Sequence, residues 1–296
     1  MQVADLHTVP EGAYNIRENG AAAGRKTTAN IDIVSKTDKP GIDIIVKPGT
    51  KRESIHIPVI ISESGLKDLV YNDFYIGEDA DVTIIAGCGI HNCGDQDSAH
   101  DGIHSFHVGK GARVRYVERH YGEEEGTGEN IMNPTTIIEI DEGGYLEMET
   151  TQIKGIDSTI RNTNAVLGKD ATLIVKEKIM THGRQHAETV FNVDLNGERS
   201  STNVISRSVA KDVSTQTFLS KINGNAECYG HTECDAIIMD NASVRAIPEI
   251  TANDINASLI HEAAIGKIAG EQIIKLMTLG LTEHEAEEQI VNGFLK

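Results

Sequence analysis

The sequence predicts an all-β solenoid, a parallel β-helix, followed by a C-terminal helical segment. Three features carry that prediction. A tight turn, a small residue and an alternating strand recur together along the middle of the chain. The strands between the turns are rich in Ile, Val and Thr with a period of two, which suits a pleated surface buried on one side. From Ala269 the apolar spacing becomes helical.

Residues 1–27 are polar and Gly/Ala-rich, with Ala21-Ala22-Ala23-Gly24, and are expected to be a loosely attached segment, disordered or short-helical. From Thr28 the period turns to two: I-D-I-V at 31–34, I-D-I-I-V at 42–46 and S-I-H-I-P-V-I-I at 54–61 read as strands. Gly41, Pro48-Gly49 and Gly65 separate them.

The repeat follows. Its copies run from Tyr75, His107, Glu139 and Val166, then in degraded form around Asn196-Gly197, then from Lys221 and Ile238. Each turn uses Gly, Asn or Asp because a sharp corner needs positive φ or a side chain bonded to its own backbone. The small residue after it (Ala80, Ala112, Gly144, Ala171, Ala226, Ala242) is expected inside a crowded corner. Copies recur about every 27–32 residues until a shorter final interval, which suits solenoid coils that bury their apolar rows only by stacking on one another. An antiparallel sandwich is the alternative. The β-helix is expected to span 28–255, and a helical segment 256–296.

In that segment Ile273, Ile274, Leu276 and Met277 fall at helical spacing, and Gly280 supplies a stop. Thr282-Glu283-His284-Glu285 has the form of a capping box, opening a second helix to about Val291 that Asn292-Gly293 ends.

Composition narrows the function. A net charge of −18 with no Lys/Arg cluster argues against nucleic-acid binding. Four cysteines in 296 residues do not make a disulfide framework. Met1 to Gly20 has no apolar stretch of signal-peptide type, and no apolar run approaches a membrane span, so a reducing cytoplasm is expected. No Walker loop is present, so no nucleotide is expected to bind this chain; G-x-S-x-G and H-E-x-x-H are missing too.

Soft and borderline metal ligands gather in two places. Gly87 to His104 holds Cys88, Cys93, His91, His100 and His104, expected as a loop bulging from the repeat. His104 shares the parity of Phe106 and Val108 and is expected to be a satisfied core histidine, with His107 facing outward. The second place holds Cys228, His231 and Cys234. Cys228 and Cys234 share parity and His231 does not, so the three converge only around a corner. Small buried thiols on a strand are the plain alternative. His261-Glu262 follows, by default a surface pair.

The stretch from Leu259 to Leu295, L-I-H-E-A-A-I-G-K-I-A-G-E-Q-I-I-K-L through E-E-Q-I-V-N-G-F-L, closely resembles the C-terminal signature of the SufB/SufD family of iron–sulfur cluster assembly proteins. Gly87-Cys88, V-G-K-G-A-R-V-R-Y at 108–116 and T-E-C-D at 232–235 also look like segments of that family, in its short, minimal form.

The resemblance implies a right-handed β-helix and a scaffold without catalysis of its own, carrying an iron–sulfur cluster transiently. The partners it implies are a second SufB/SufD-type subunit, as homodimer or heterodimer, and a SufC-type ABC ATPase. That ATPase would dock on the C-terminal helices, for which we select Ile273, Met277, Leu281, Ile290 and Phe294. Cys88 matches the cysteine that receives sulfur, and His261 and Glu262 match interface ligands. Ala242 stands where the family has a second cysteine, which makes Cys228 and Cys234 the nearest replacements. The resulting candidates are Cys88, Cys93, Cys228 and Cys234 for sulfur or cluster, with His91, His231, His261 and Glu262 for metal. A SufD-like structural subunit without its own cluster is one alternative. A metal-dependent β-helix hydrolase or lyase using residues 91–107 is another, with few aromatics to bind a sugar.

Overall fold

The structure, a computed structural model, describes residues 10–123 and 126–296. The chain opens with β1 (Ala13–Glu18), β2 (Ala21–Lys26), β3 (Ile31–Ser35) and β4 (Gly41–Val46). Longer strands follow: β5 (Lys51–Ile61), β6 (Lys67–Ile76), β7 (Asp81–His91), β8 (Ser98–Val108) and β9 (Arg113–Glu123). The middle holds β10 (Asn130–Met132), β11 (Thr135–Ile140), β12 (Tyr145–Lys154), β13 (Ser158–Leu167), β14 (Thr172–Thr181) and β15 (His186–Leu195). Then come β16 (Ser200–Ala210), β17 (Thr215–Gly224), β18 (Cys228–Ile238), β19 (Ser243–Ala252) and β20 (Ser258–Gly266). Two helices, α1 (Gly270–Thr278) and α2 (Glu283–Phe294), complete it.

From β4 onward the strands alternate between two sheets, with β10 and β11 sharing one, and pair in parallel, giving a β-solenoid of about eight turns. Apart from a bulge at Lys154, stacked residues from β4 onward lie between 27 apart (Tyr145 on Thr172) and 32 apart (Asp81 on Arg113). In five successive coils one corner holds a left-handed residue: Asp79 (φ 54°), Gly111 (65°), Gly143 (68°), Asp170 (56°) and Arg199 (57°). Each donates its N–H to a carbonyl of the next coil, Asp79 to Lys110 and Gly111 to Glu142. The corner motif is therefore what locks one coil onto the next. Ala80, Ala112 and Ala171, directly after these residues, are fully buried. Asn196, Asn225 and Asn253 stack their amides in a ladder at 2.7 Å per bond.

Inside, alternate residues of the two sheets meet. Phe74 stacks on Phe106 at 4.5 Å, with Tyr116 edge-on to both.

The two ends of the solenoid differ. At the N-terminal end, residues 13–26 form an antiparallel hairpin, not the disordered or short-helical segment expected; residues 1–9 lie outside the described residues. The reason is local: Asn19 (φ 48°) and Gly20 (φ 76°) make a two-residue turn with both φ positive, the geometry that matches strand twist. β3 and β4 form a second antiparallel hairpin on the other sheet. At the C-terminal end the expected helical segment begins with strand, since β20 pairs with β18 along its length and helix starts only at Gly270. β19 and β20 are the last strands of their sheets, and many of their residues are exposed.

The Thr282–Glu285 capping box is present, and α2 continues past Asn292-Gly293 to Phe294. Val291 and Leu295 are buried against Val209, so this helix is fastened to the solenoid wall. No described helix is long and apolar enough to cross a membrane.

Candidate functional site

The structure scatters the cysteines. Cys88 lies inside β7, not in a bulging loop, packed with Val59, Ile61, Ile90, Met132 and Ile156. The strand runs to His91, so the loop is only 92–97. Burial pushes the Cys88 thiol well up, reinforced by the charges of Asp68 and Glu118. Cys228 and Cys234 face inward from one continuous strand, six residues and roughly 20 Å apart. Burial raises both, Cys234 to about 12 with help from Glu177 and Asp235. His231 points outward from the same strand, so the Cys228–His231–Cys234 cluster does not form. No corner lies between them.

The interior between Cys88 and Cys234 is polar. Cys88 stacks on His120 and that on Gln152, while Glu118, Thr150, Glu177, Ser206 and Cys234 stack in the neighbouring row. Arg161, buried, reaches across from the other sheet to Glu118 (3.4 Å), Glu177 (3.3 Å) and His120 Nδ1 (2.9 Å). Since the guanidinium only donates, His120 accepts at Nδ1 and turns its Nε2–H to Glu118 Oε1 at 3.4 Å. The Tyr116 hydroxyl donates to Glu118 (2.8 Å) and accepts from His104 Nδ1 (2.8 Å). His104 is thus the satisfied core histidine expected, and burial lowers it to about 4 against the pull of Glu118. Burial alone would raise Glu118, but His120, His104 and Arg161 hold it well below the usual carboxylate range. At Glu177 burial wins over Arg161, and the carboxyl is raised.

His261 and Glu262, adjacent on β20, point to opposite faces. His261 pairs with Thr232 and bonds its hydroxyl at 2.6 Å on the inner face. Glu262 lies on the outer face beside Glu233 and 3.7 Å from His231 Nε2. Ligand atoms of His231, Glu233 and Glu262 all lie within 4.8 Å of one another. His231 Nδ1 meets Asn203 Oδ1 at 3.0 Å, which orients the ring with Nε2 toward the carboxylates. Burial and the adjoining Asp235 raise the Glu233 carboxyl. An imidazole nitrogen and two crowded carboxylates suit a borderline divalent cation such as iron. His261 is not in this set.

At the far end of β7, His91 pairs in register with Glu123 of β9. Its Nδ1 forms an ion pair with the Glu123 carboxylate, and its Nε2 lies 3.0 Å from the exposed Cys93 sulfur. His91 therefore lies between the Glu123 carboxylate and the Cys93 thiol.

With this geometry in view, residues 70–294 match the family model described as the SufBD core domain of the SUF system for FeS cluster assembly. The chain belongs to the SufBD family. An iron–sulfur cluster assembly SufBD family protein of Methanocaldococcus jannaschii is 33% identical over 85% of this chain and 79% of its own length. Another from Methanothermobacter thermautotrophicus (strain Delta H) is 29% identical over 86% of this chain, which spans 62% of that protein. SufB of Bacillus subtilis is 27% identical over 75% of this chain and 47% of its own length.

Two residues of this SufBD chain escaped sequence reasoning. Glu233 sits two positions from His231, on the same strand face. Glu123 lies 32 positions after His91, the stacking interval of Asp81 on Arg113. Parity and repeat length together were the usable signal. Ala242 is half-buried in the turn before β19, its N–H donating to Met239. Of the docking candidates, Met277 is exposed, and Ile273, Leu281 and Ile290 are half-buried. Phe294 packs with the α2 cluster on the solenoid wall, so it is already used within the chain. Ile274 and Leu279 are the more exposed apolar residues of this region, at 62% and 76%.

Proposed function

We propose that this chain is a scaffold, or scaffold-partner, for iron–sulfur cluster assembly, with iron and sulfur as its cargo and no catalysis of the hydrolase type. The observation that carries the reading is the His231–Glu233–Glu262 donor set in a chain of the SufBD family. Oxygen and imidazole donors on an accessible sheet face hold a cluster precursor more loosely than thiolates would, which suits a scaffold that must give its cargo away.

The rest of the reading follows the architecture. The unpaired edges of β19 and β20 suit pairing with a second copy or a SufB/SufD-type partner, since an open sheet edge is a template for another strand. Ile274, Met277 and Leu279 offer an apolar patch for a SufC-type ABC ATPase. The setting is a reducing cytoplasm. Ala242, where the family has a cysteine, favours a second reading in which the chain is a SufD-like partner holding no complete cluster.

Anaerobic reconstitution with Fe²⁺ and sulfide, followed by absorption and Mössbauer spectroscopy, tests the reading. The wild type is expected to retain iron, and Glu262→Gln and His231→Gln to lose most of it. A protein that takes up neither iron nor sulfide, alone or with the ATPase, rejects the reading. Retention by the wild type and equally by both variants would move the cargo elsewhere.

A further inference from the structure

Along β8, His100, Gly102 and His104 follow one another on the inner face, and all three are buried. A glycine inside a strand weakens it, and its usual reasons are a bend, a bulge or the close approach of another group. Neither of the first two applies to Gly102. Its φ is not left-handed, and β8 keeps an unbroken register with β6. The third does apply: a Cβ on Gly102 would lie 3.3 Å from Nε2 of His100 and 3.3 Å from Nε2 of His104. At Gly230, another inward-facing glycine, the same space is taken by the aliphatic side chains of Leu259 and Ile222.

The far side of each ring is already held. His100 Nδ1 lies 3.1 Å from Asp68 Oδ2, and His104 Nδ1 lies 2.8 Å from the Tyr116 hydroxyl, which in turn donates to Glu118. Each Nδ1 donates its proton there, so in the neutral ring Nε2 carries the lone pair. Metal-bound histidines have their other N–H anchored in this way, to a carboxylate or another acceptor. Asn72 closes a third side. It is 3% exposed, its Oδ1 has no hydrogen-bond partner among the described residues, and its Nδ2 meets His104 Nε2 only at 3.3 Å. Turning that amide gives up one long bond and offers an oxygen beside the two nitrogens.

Two neutral nitrogens and an amide oxygen are too few for Zn²⁺, which takes four ligands in a closed site. Charge points the same way. Arg17 and Arg161 already stand against Asp68, Glu118 and Glu177 in the interior, so at most one further positive charge is balanced there. We propose that His100 and His104, with Asn72 as a third donor, form a buried site for a monovalent d10 cation, Cu⁺, in the space that Gly102 leaves open. Imidazole suits copper, and a low-coordinate monovalent ion needs no further ligand. The site faces the interior, whereas His231, Glu233 and Glu262 gather around the outer face of β18 and β20, so neither depends on the other.

The test uses the full-length chain carrying Cys93→Ser, which removes the exposed thiol that would compete for Cu⁺. Cu⁺ is added anaerobically as its acetonitrile complex against the chelator bicinchoninate, and the histidine rings are followed by long-range proton–nitrogen NMR. The Nε2 signals of His100 and His104 should move together on binding, with both Nδ1 atoms still protonated. His100→Gln and His104→Gln should each weaken Cu⁺ binding at least about tenfold. Because His104→Gln also removes a core bond, Gly102→Ala serves as the variant that keeps every ligand. Its methyl group enters the site and should weaken Cu⁺ about tenfold while the chain stays folded by circular dichroism. Wild-type affinity in Gly102→Ala, no binding at all, or binding that leaves both Nε2 signals unmoved overturns the site.

Discussion

Glu118 and Glu123 lie on one strand, as Cys88 and Cys93 lie along one stretch of chain, and within each pair one residue faces the interior and the other the outside. Inside, Glu118 is enclosed by Tyr116, His120 and Arg161, and Cys88 is walled by aliphatic side chains. Outside, Glu123 holds an imidazole whose other nitrogen reaches an exposed thiol. The residue types are the same; their surroundings differ, since Glu118 is engaged by Tyr116, His120 and Arg161 and Cys88 is enclosed by aliphatic side chains. A buried polar network that is fully satisfied specifies structure, while a partly exposed one is able to react.

The sharpest way to break this contrast is to remove the interior's cation. Arg161→Met leaves Glu118 and Glu177 buried without their counter-ion and should destabilise the fold by about 3–5 kcal/mol in chemical denaturation. Adding Glu118→Gln and Glu177→Gln should recover much of it. A loss below about 1 kcal/mol would show that the column does not depend on Arg161.

The next test is acid. His104 is depressed in the fold from 6.5 to about 4, so it stays neutral where the unfolded chain takes up a proton. Its contribution is complete above about pH 6.5 and is lost as pH falls toward 4, by about 3 kcal/mol at roughly 1.4 kcal/mol per pH unit. His104→Gln should flatten stability over that window, measured as unfolding free energy at several pH values. An unchanged slope would remove His104 from the account.

Truncating the two thiols should separate the regions again. Cys88→Ala leaves a small void among Val59, Ile61 and Met132 and should cost about 1 kcal/mol, whereas Cys93→Ala should stay within about 0.5 kcal/mol of wild type. A modest, local loss is expected at the fastening of α2. Thr282→Ala removes the hydroxyl that accepts from Glu285 N–H and should cost about 0.5–1 kcal/mol, seen as faster hydrogen exchange over 283–294.

Much of the fold was legible because its signals are local. The left-handed corners at Asp79, Gly111, Gly143 and Asp170 announce themselves by residue type, and the alanine after most of them by its size. Strand parity placed His104 inside and kept His231 apart from Cys228 and Cys234, since alternation is a property of the strand alone. The Asn19-Gly20 turn was equally readable and was passed over beneath a polar composition.

The sites depended on what the chain cannot state locally. Which residue stacks on which is decided by coil length, and coils here differ by up to five residues. Only the assembled sheets bring His91 to Glu123 and His231 to Glu262, and only they set His261 and Glu262 on opposite faces. Residue type and parity came from the sequence. Partnership and exposure, which bury one thiol and leave another exposed beside an imidazole, came from packing between coils distant along the chain.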